Sequence, residues 1–270
     1  MPRPAMPLSA MPRTAIIAGT GDLPVQLAGQ LENPVYVTFD DSPPPDGVVP
    51  QAARIEKLGR LFKDLKALGV SEVCFAGAMV RPQINPLLLD RHALRLAAKL
   101  PKGDDALLRE VLAVFEESGF AIRGALDIAP ALALPAGTLW GRKPSAGDLE
   151  DAQKARAVID ALAAQDVGQG AVVAGGLVIG IETLQGTNAL LKFVGETPKR
   201  LRRAKGVFVK QPKSGQDLRI DAPAIGPKTI QAVTQAGLAG LVIAANRTIV
   251  LQQAATRAAI EEAGLFLKAE

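Results

Sequence analysis

The feature that most limits the folds open to this chain is the order in which its first half alternates short β-rich runs with stretches of helical periodicity. Residues 14–18 read as a strand, Gly19-Thr20-Gly21-Asp22-Leu23-Pro24 as the turn into a helix ending near Gln30, and residues 35–39 as a second strand. Residues 40–50 are rich in Pro and Asp and read as a loop. Leu58, Leu61, Phe62, Leu65 and Leu68 then recur at helical spacing, and residues 73–76 follow as a third strand. Strand, helix and strand in succession form βαβ units, whose strands lie parallel in one sheet with helices on its faces. A chain of 270 residues, 48% hydrophobic, can bury one large core or two medium ones, and two domains are expected.

Further along, Gly103-Asp104-Asp105 precedes Leu107, Leu108, Val111, Leu112 and Phe115, an amphipathic pattern whose acidic start suits a helix dipole. Gly119 ends it. Residues 120–125 are strand-like. Pro135, Gly137, Gly141, Pro144 and Gly147 then crowd a stretch without periodicity, the candidate linker. Beyond it the pattern predicts a helix over 148–164 and a hairpin of 171–174 with 177–182 around Gly175-Gly176, where positive φ is tolerated. Helices follow over 187–195, 228–236 and 252–263, with strands at 207–210 and 241–245. The predicted class is α/β. A disordered start (1–13) leads to an N-terminal Rossmann-like parallel-sheet domain (14–133), a linker (134–147) and a second α/β domain with a mixed sheet (148–270).

Composition closes several routes to function. One cysteine, Cys74, excludes an intrachain disulfide and a Cys-rich zinc site. The one histidine, His92, sits among Leu88, Leu89, Leu96 and Leu100 and reads as a helix residue of the core or its edge; nothing nearby resembles a nucleophile elbow. Aromatics at 4% offer few stacking platforms, so no nucleic-acid partner is expected. The net charge of +4 suits anionic small molecules or an anionic membrane surface. The longest apolar runs, 171–181 and 237–245, fall short of the roughly 18 residues a spanning helix needs, so a soluble or peripheral protein of a reducing compartment is expected.

Against that background a few clusters could carry chemistry. Gly19, Thr20, Gly21, Asp22 and Leu23 form a glycine-rich strand-to-helix turn, which either offers N–H groups to an anion or nucleotide or is a plain tight turn; Pro24 stands where the dinucleotide fingerprint has its third glycine. Gly77, Ala78 and Met79, just past the third strand, are either a second wall of that pocket or a close-packing turn. Asp104 and Asp105 are helix caps or ligands. Glu182, followed by Gln185, Gly186, Thr187 and Asn188, sets a carboxylate beside a helix start, suited to a metal-bridged phosphate or simply to a capped helix. Lys199, Arg200, Arg202, Arg203 and Lys205 are either a solvated face or a site for anionic lipid head groups. In Gln216-Asp217-Leu218-Arg219-Ile220-Asp221, an extended backbone would put Asp217, Arg219 and Asp221 on one face, able to hold a hard cation and a phosphate. Oxygen ligands of this kind fit Mg²⁺.

Five separated blocks, residues 16–24, 103–108, 166–169, 182–188 and 216–226, together resemble the LpxI-type UDP-2,3-diacylglucosamine pyrophosphatases, in family order and from about Thr14 to the C-terminus. The resemblance implies hydrolysis of UDP-2,3-diacylglucosamine to lipid X and UMP in lipid A biosynthesis, Mg²⁺ dependence, and peripheral contact with the anionic inner-membrane surface on the cytoplasmic side of Gram-negative bacteria. It implies two domains with substrate between them and gives Asp221 the position most closely tied to catalysis. Gln185 and Asn188 stand where the family commonly has acids, and are taken as substrate hydrogen-bonders. The expected catalytic set is then Asp221, Asp217 and Arg219, the metal set Asp221, Glu182 and Asp105, and a homo-oligomer stays open. The competing reading is a non-catalytic nucleotide- or sugar-binding regulatory module.

Overall fold

The structure, a computed structural model, describes residues 12–39, 49–78, 85–100 and 104–270. Residues 1–11 of the expected disordered start, residues 40–48 of the loop after the second strand, and Met79 lie outside the described residues, while Arg13, expected in the disordered start, already belongs to the first strand. The chain divides between Ala129 and Pro130 into two compact units.

The first unit holds β1 (Arg13–Ala18), α1 (Leu23–Ala28), β2 (Val35–Phe39), β3 (Gln51–Ala53), α2 (Leu58–Ala67), β4 (Val70–Ala76), α3 (Arg91–Ala97), α4 (Asp104–Glu117), β5 (Ala121–Ile122) and α5 (Ala125–Ile128). Its strands form one parallel sheet in the order β3-β2-β1-β4-β5. Ile16, Ile17, Val37, Val73 and Cys74 are fully buried, as strands covered on both faces require. The apolar stripe of α2 buries Leu61, Phe62 and Leu65. Phe62 meets Phe115 edge-on at 4.9 Å, and His92 packs edge-on to Phe62 at 5.1 Å, in keeping with its expected place at the core edge. Burial pushes the Cys74 thiol up to about 12, so it is inert.

The second unit contains β6 (Leu139–Gly141), α6 (Ala146–Leu162), β7 (Gly170–Ala174), β8 (Leu177–Ile181), α7 (Gly186–Gly195), β9 (Val207–Lys210), β10 (Ala224–Ile225), α8 (Pro227–Gln235), β11 (Gly240–Ile243), β12 (Ile249–Val250), α9 (Gln253–Glu262) and β13 (Phe266–Ala269). Its main sheet runs β6-β13-β11-β9-β7-β8. β9, β11 and β13 are parallel, while β6 and β7 pair antiparallel at either side and β8 returns along β7 as a hairpin. Alternation along each strand sorts two cores. Val207, Val209, Ala171 and Val173 meet Ala152, Ala155 and Ile159 of α6, whereas Phe208 and Val172 meet Leu190, Val194, Ile230 and Val233 of α7 and α8. Lys210, two residues beyond Phe208, therefore falls on the α7 face.

Residues of the expected linker are built into this unit. Leu134 is buried in its core, β6 pairs with β13, and Ser145 caps α6 by accepting from the Asp148 N–H at 3.1 Å. The prolines and glycines there shape turns around an edge strand. The loop tip of the β7–β8 hairpin is held from α6: the buried Asp151 carboxylate accepts from the N–H groups of Gly175 at 2.8 Å and Gly176 at 2.7 Å. Arg202 reaches inward, donating to the Ala236 carbonyl at 2.8 Å and to the Val194 carbonyl, so one cation neutralises the ends of both α8 and α7.

Candidate functional site

In the first unit the strand order changes direction between β1 and β4, the place where open α/β sheets bind ligands. The two turns predicted to wall a pocket meet there. Thr20 N–H donates to the Ala78 carbonyl at 2.9 Å, Ala78 N–H donates to the Thr20 carbonyl at 3.0 Å, and Gly19 N–H donates to Ala76 at 2.7 Å. A Cβ on Gly19 would stand 2.4 Å from the Ala78 oxygen, so only glycine permits this approach. The clasp engages N–H groups that an anion loop would otherwise offer. Gly21 and Asp22 follow as a bend, and Leu23 opens α1. Asp104 and Asp105 open α4, and the side chains of both lie outside the described set.

The second unit assembles a denser cluster where β8 and β9 end and β7 begins. Glu182, next after β8, is buried, and its N–H donates to the Gly170 carbonyl at 2.7 Å. Lys210, the last residue of β9, is also buried; its ammonium donates to both Glu182 oxygens at 3.3 Å and to Thr187 Oγ1 at 2.6 Å. The Thr187 hydroxyl donates to Glu182 Oε1 at 2.8 Å. Gly168, at φ +41°, lets the chain cross Glu182 closely enough for this packing. Gly186 and Thr187 lie in the first turn of α7, with Gln185 just before it and Asn188 exposed beside it.

The segment 216–221 is not extended. The N–H groups of Ile220 and Asp221 donate to the Asp217 carbonyl at 3.3 and 3.2 Å, which folds it into a turn. Asp217 drives this by accepting from the Arg219 N–H at 3.0 Å, a bond Asp makes readily two residues on. Its carboxylate also takes the Arg219 guanidinium, at 3.0 Å from Nε and 2.7 Å from a terminal nitrogen. The single face predicted for Asp217, Arg219 and Asp221 is thus replaced by an Asp217–Arg219 pair, with Asp221 separate.

Asp221 instead joins the strand-end cluster. Its Oδ2 accepts from Gln169 Nε2 at 2.8 Å and from Gln216 Nε2 at 2.7 Å, leaving Oδ1 engaged by neither amide. Burial raises its pKa above the ordinary carboxylate value; the charges of Lys213 and Lys210 and the Gln169 bond pull the other way, and the Glu182 charge adds to the rise. Lys213 is itself paired with Asp166. Among the described residues no group of three or more His, Cys, Asp or Glu side chains is placed to cage a metal ion. The donor set suits a hard cation held by one carboxylate and completed by ligand phosphates, the usual Mg²⁺ arrangement, with Asp221 as that carboxylate. Glu182, expected in the metal set, is bonded by Lys210 and Thr187.

Residue-type reasoning missed Lys210, Lys213, Gln169 and Gln216 as site members. Lys210 did leave a signal: a lysine ending an otherwise apolar strand and followed by Gln211-Pro212. The amides left none in residue type alone, although both fall inside blocks that carry the family resemblance, 166–169 and 216–226.

Comparison with known proteins agrees with both units. A model of the LpxI N-terminal domain matches residues 13–132, and a model of the LpxI C-terminal domain matches residues 135–268. A relative from Caulobacter vibrioides, named UDP-2,3-diacylglucosamine pyrophosphatase LpxI, is 39% identical over 272 aligned positions, covering 95% of this chain and 97% of that protein.

Proposed function

This chain belongs to the LpxI family, and on that premise we propose that it hydrolyses the pyrophosphate bond of UDP-2,3-diacylglucosamine, giving lipid X and UMP. The observation that carries the reading is the Asp221 carboxylate, fixed by two amides at the strand ends and within reach of the charges of two lysines. Hydrolysis of a diphosphate needs little covalent help from the protein; it needs positioning and offset of negative charge. Gln169 and Gln216 fix one oxygen of Asp221 so that the other keeps a set direction. Lys210 and Lys213 supply positive potential where the phosphates must lie. Mg²⁺, held by Asp221 and the substrate's phosphate oxygens, would polarise the diphosphate.

Purified protein with Mg²⁺ and UDP-2,3-diacylglucosamine should release UMP and lipid X in equal amounts, EDTA should stop this, and added Mg²⁺ should restore it. Binding without UMP release would mark a binding module in place of an enzyme. Turnover indifferent to EDTA would remove Mg²⁺ from the mechanism.

A diacylated substrate resides in a membrane, and among the described residues no helix is long and apolar enough to cross one. Peripheral binding at the cytoplasmic face of the inner membrane fits the second unit's surface. Lys199, Arg200, Arg203 and Lys205 are exposed, close in sequence to Phe193 at 63% and Leu201 at 54% exposure. At about 1 kcal/mol per basic residue near anionic lipid, changing these four to Gln should weaken binding to phosphatidylglycerol-containing vesicles by on the order of 100-fold or more. Arg202 is left out because it caps two helices. Equal binding of wild type and variant would place the membrane contact elsewhere.

A further inference from the structure

We infer that Lys210 is the protein's direct contact to the diphosphate, and that Glu182 is an internal anion holding its ammonium until substrate takes over. The inference rests on the diphosphate reading above. Its first support is position. Lys210 ends β9 on the carboxyl edge of the parallel strands, the edge at which open sheets of this kind bind ligands, and its side chain lies on the α7 face beside Thr187.

The second support is the quality of the ion pair. Charge-assisted N–H···O bonds settle near 2.7–2.9 Å, yet Lys210 stands 3.3 Å from both Glu182 oxygens and keeps its short contact, 2.6 Å, for the Thr187 hydroxyl. Buried pairs are poor sources of stability even with good geometry, since desolvation consumes the attraction. A pair this long, with both side chains about nine-tenths buried, is weakly accounted for as a structural strut. An ammonium has three donors, and the two Glu182 oxygens and Thr187 engage all three, so a phosphate must displace one of them, and the two long bonds to Glu182 are the weaker ones. The third support is adjacency: Gln169, whose amide holds Asp221 at 2.8 Å, accepts at its carbonyl from the N–H of Gln211 at 3.0 Å, next to Lys210, and Gly170 accepts from the Glu182 N–H at 2.7 Å; the charges of Lys210 and Glu182 accordingly reach the Asp221 carboxyl. A diphosphate entering there would attract the ammonium and be repelled by Glu182. Exchange of Glu182 for a phosphate oxygen satisfies both.

The test is titration of UDP, which carries uridine and both phosphates, into wild type and the variants Lys210→Met, Lys210→Arg and Glu182→Gln, with melting temperatures and steady-state turnover alongside. Lys210→Met should weaken UDP binding by about tenfold or more and lower kcat/KM by on the order of 100-fold. Lys210→Arg should recover part of both. Glu182→Gln should bind UDP more tightly than wild type, because it frees the cation and removes the repulsion. A structural pair predicts otherwise: melting temperatures that fall for Lys210→Met and Glu182→Gln alike, with UDP affinity within twofold of wild type, and that result overturns the inference, as does weaker UDP binding by Glu182→Gln. Lys210-dependent UDP binding in a wild type that releases no UMP would uphold the contact and discard the hydrolase assignment.

Discussion

Asp221→Asn is expected to lose turnover by on the order of 10³-fold while melting at a higher temperature than wild type. The loss follows if the carboxylate holds the cation at the diphosphate, since an amide oxygen is a far poorer ligand for Mg²⁺ and carries no charge. The gain follows from burial. The Asp221 carboxyl has its pKa raised in the folded protein, chiefly by desolvation. The folded state therefore binds the proton more tightly than the unfolded chain. The stabilisation this confers is complete below the unfolded carboxylate range and is lost as pH rises through the raised folded value. At neutral pH an ionised Asp221 works against folding, and Asn, which can still accept from Gln169 and Gln216, does not. In metal-free protein the melting gap between variant and wild type should be smallest in acid and widen toward neutrality. A variant that melts below wild type at pH 7 would show that the lysines outweigh burial.

Gly168→Ala should produce the largest loss of stability of any single methyl addition near the site. Its Cβ would stand 2.1 Å from the Glu182 carbonyl oxygen and 2.8 Å from the Glu182 Cβ, on a backbone already at φ +41°. Backbone cannot swing aside as a side-chain tip can, so a cost of about 4 kcal/mol or more is expected, on the order of a 10 °C fall in melting temperature. The displacement would also part Gln169 from Asp221 and disturb the Glu182–Lys210 pair, so residual folded protein should turn over poorly. Gly215→Ala serves as the control. It too has positive φ, +77°, but nothing lies within 4 Å of its Cβ, and about 1 kcal/mol is expected. Equal melting of the two variants would refute the close crossing.

The first unit was largely legible because its signals are local. An all-apolar strand, a glycine turn and a helix of period 3.6 each declare themselves within ten residues, and parallel order follows from their alternation. The hairpin 171–182 was equally plain from Gly175-Gly176. Short strands were not. Gln51–Ala53 and Leu139–Gly141 are three-residue edge strands, Phe266–Ala269 lies between β6 and β11, β6 pairs with a strand more than a hundred positions away, and the Pro/Gly content around β6 imitates a linker. At the site the stretch 216–221 misled, since alternating polar and apolar residues read as a strand while Asp217 closes a turn with its own side chain. Residue type grouped Asp221 with Asp217 and Arg219 and the family resemblance singled it out, but the company it keeps, Gln169 from 52 positions away and Lys210 from the end of β9, depends on tertiary folding.

The tip of the β7–β8 hairpin carries a practical warning for anyone attaching a label or opening a new chain terminus. Glycine-rich surface loops are the usual choice for such changes, and Gly175-Gly176 looks suitable. An insertion there would withdraw two N–H donors from Asp151 and strand its charge in the interior, so reporters and permuted ends belong at a different loop.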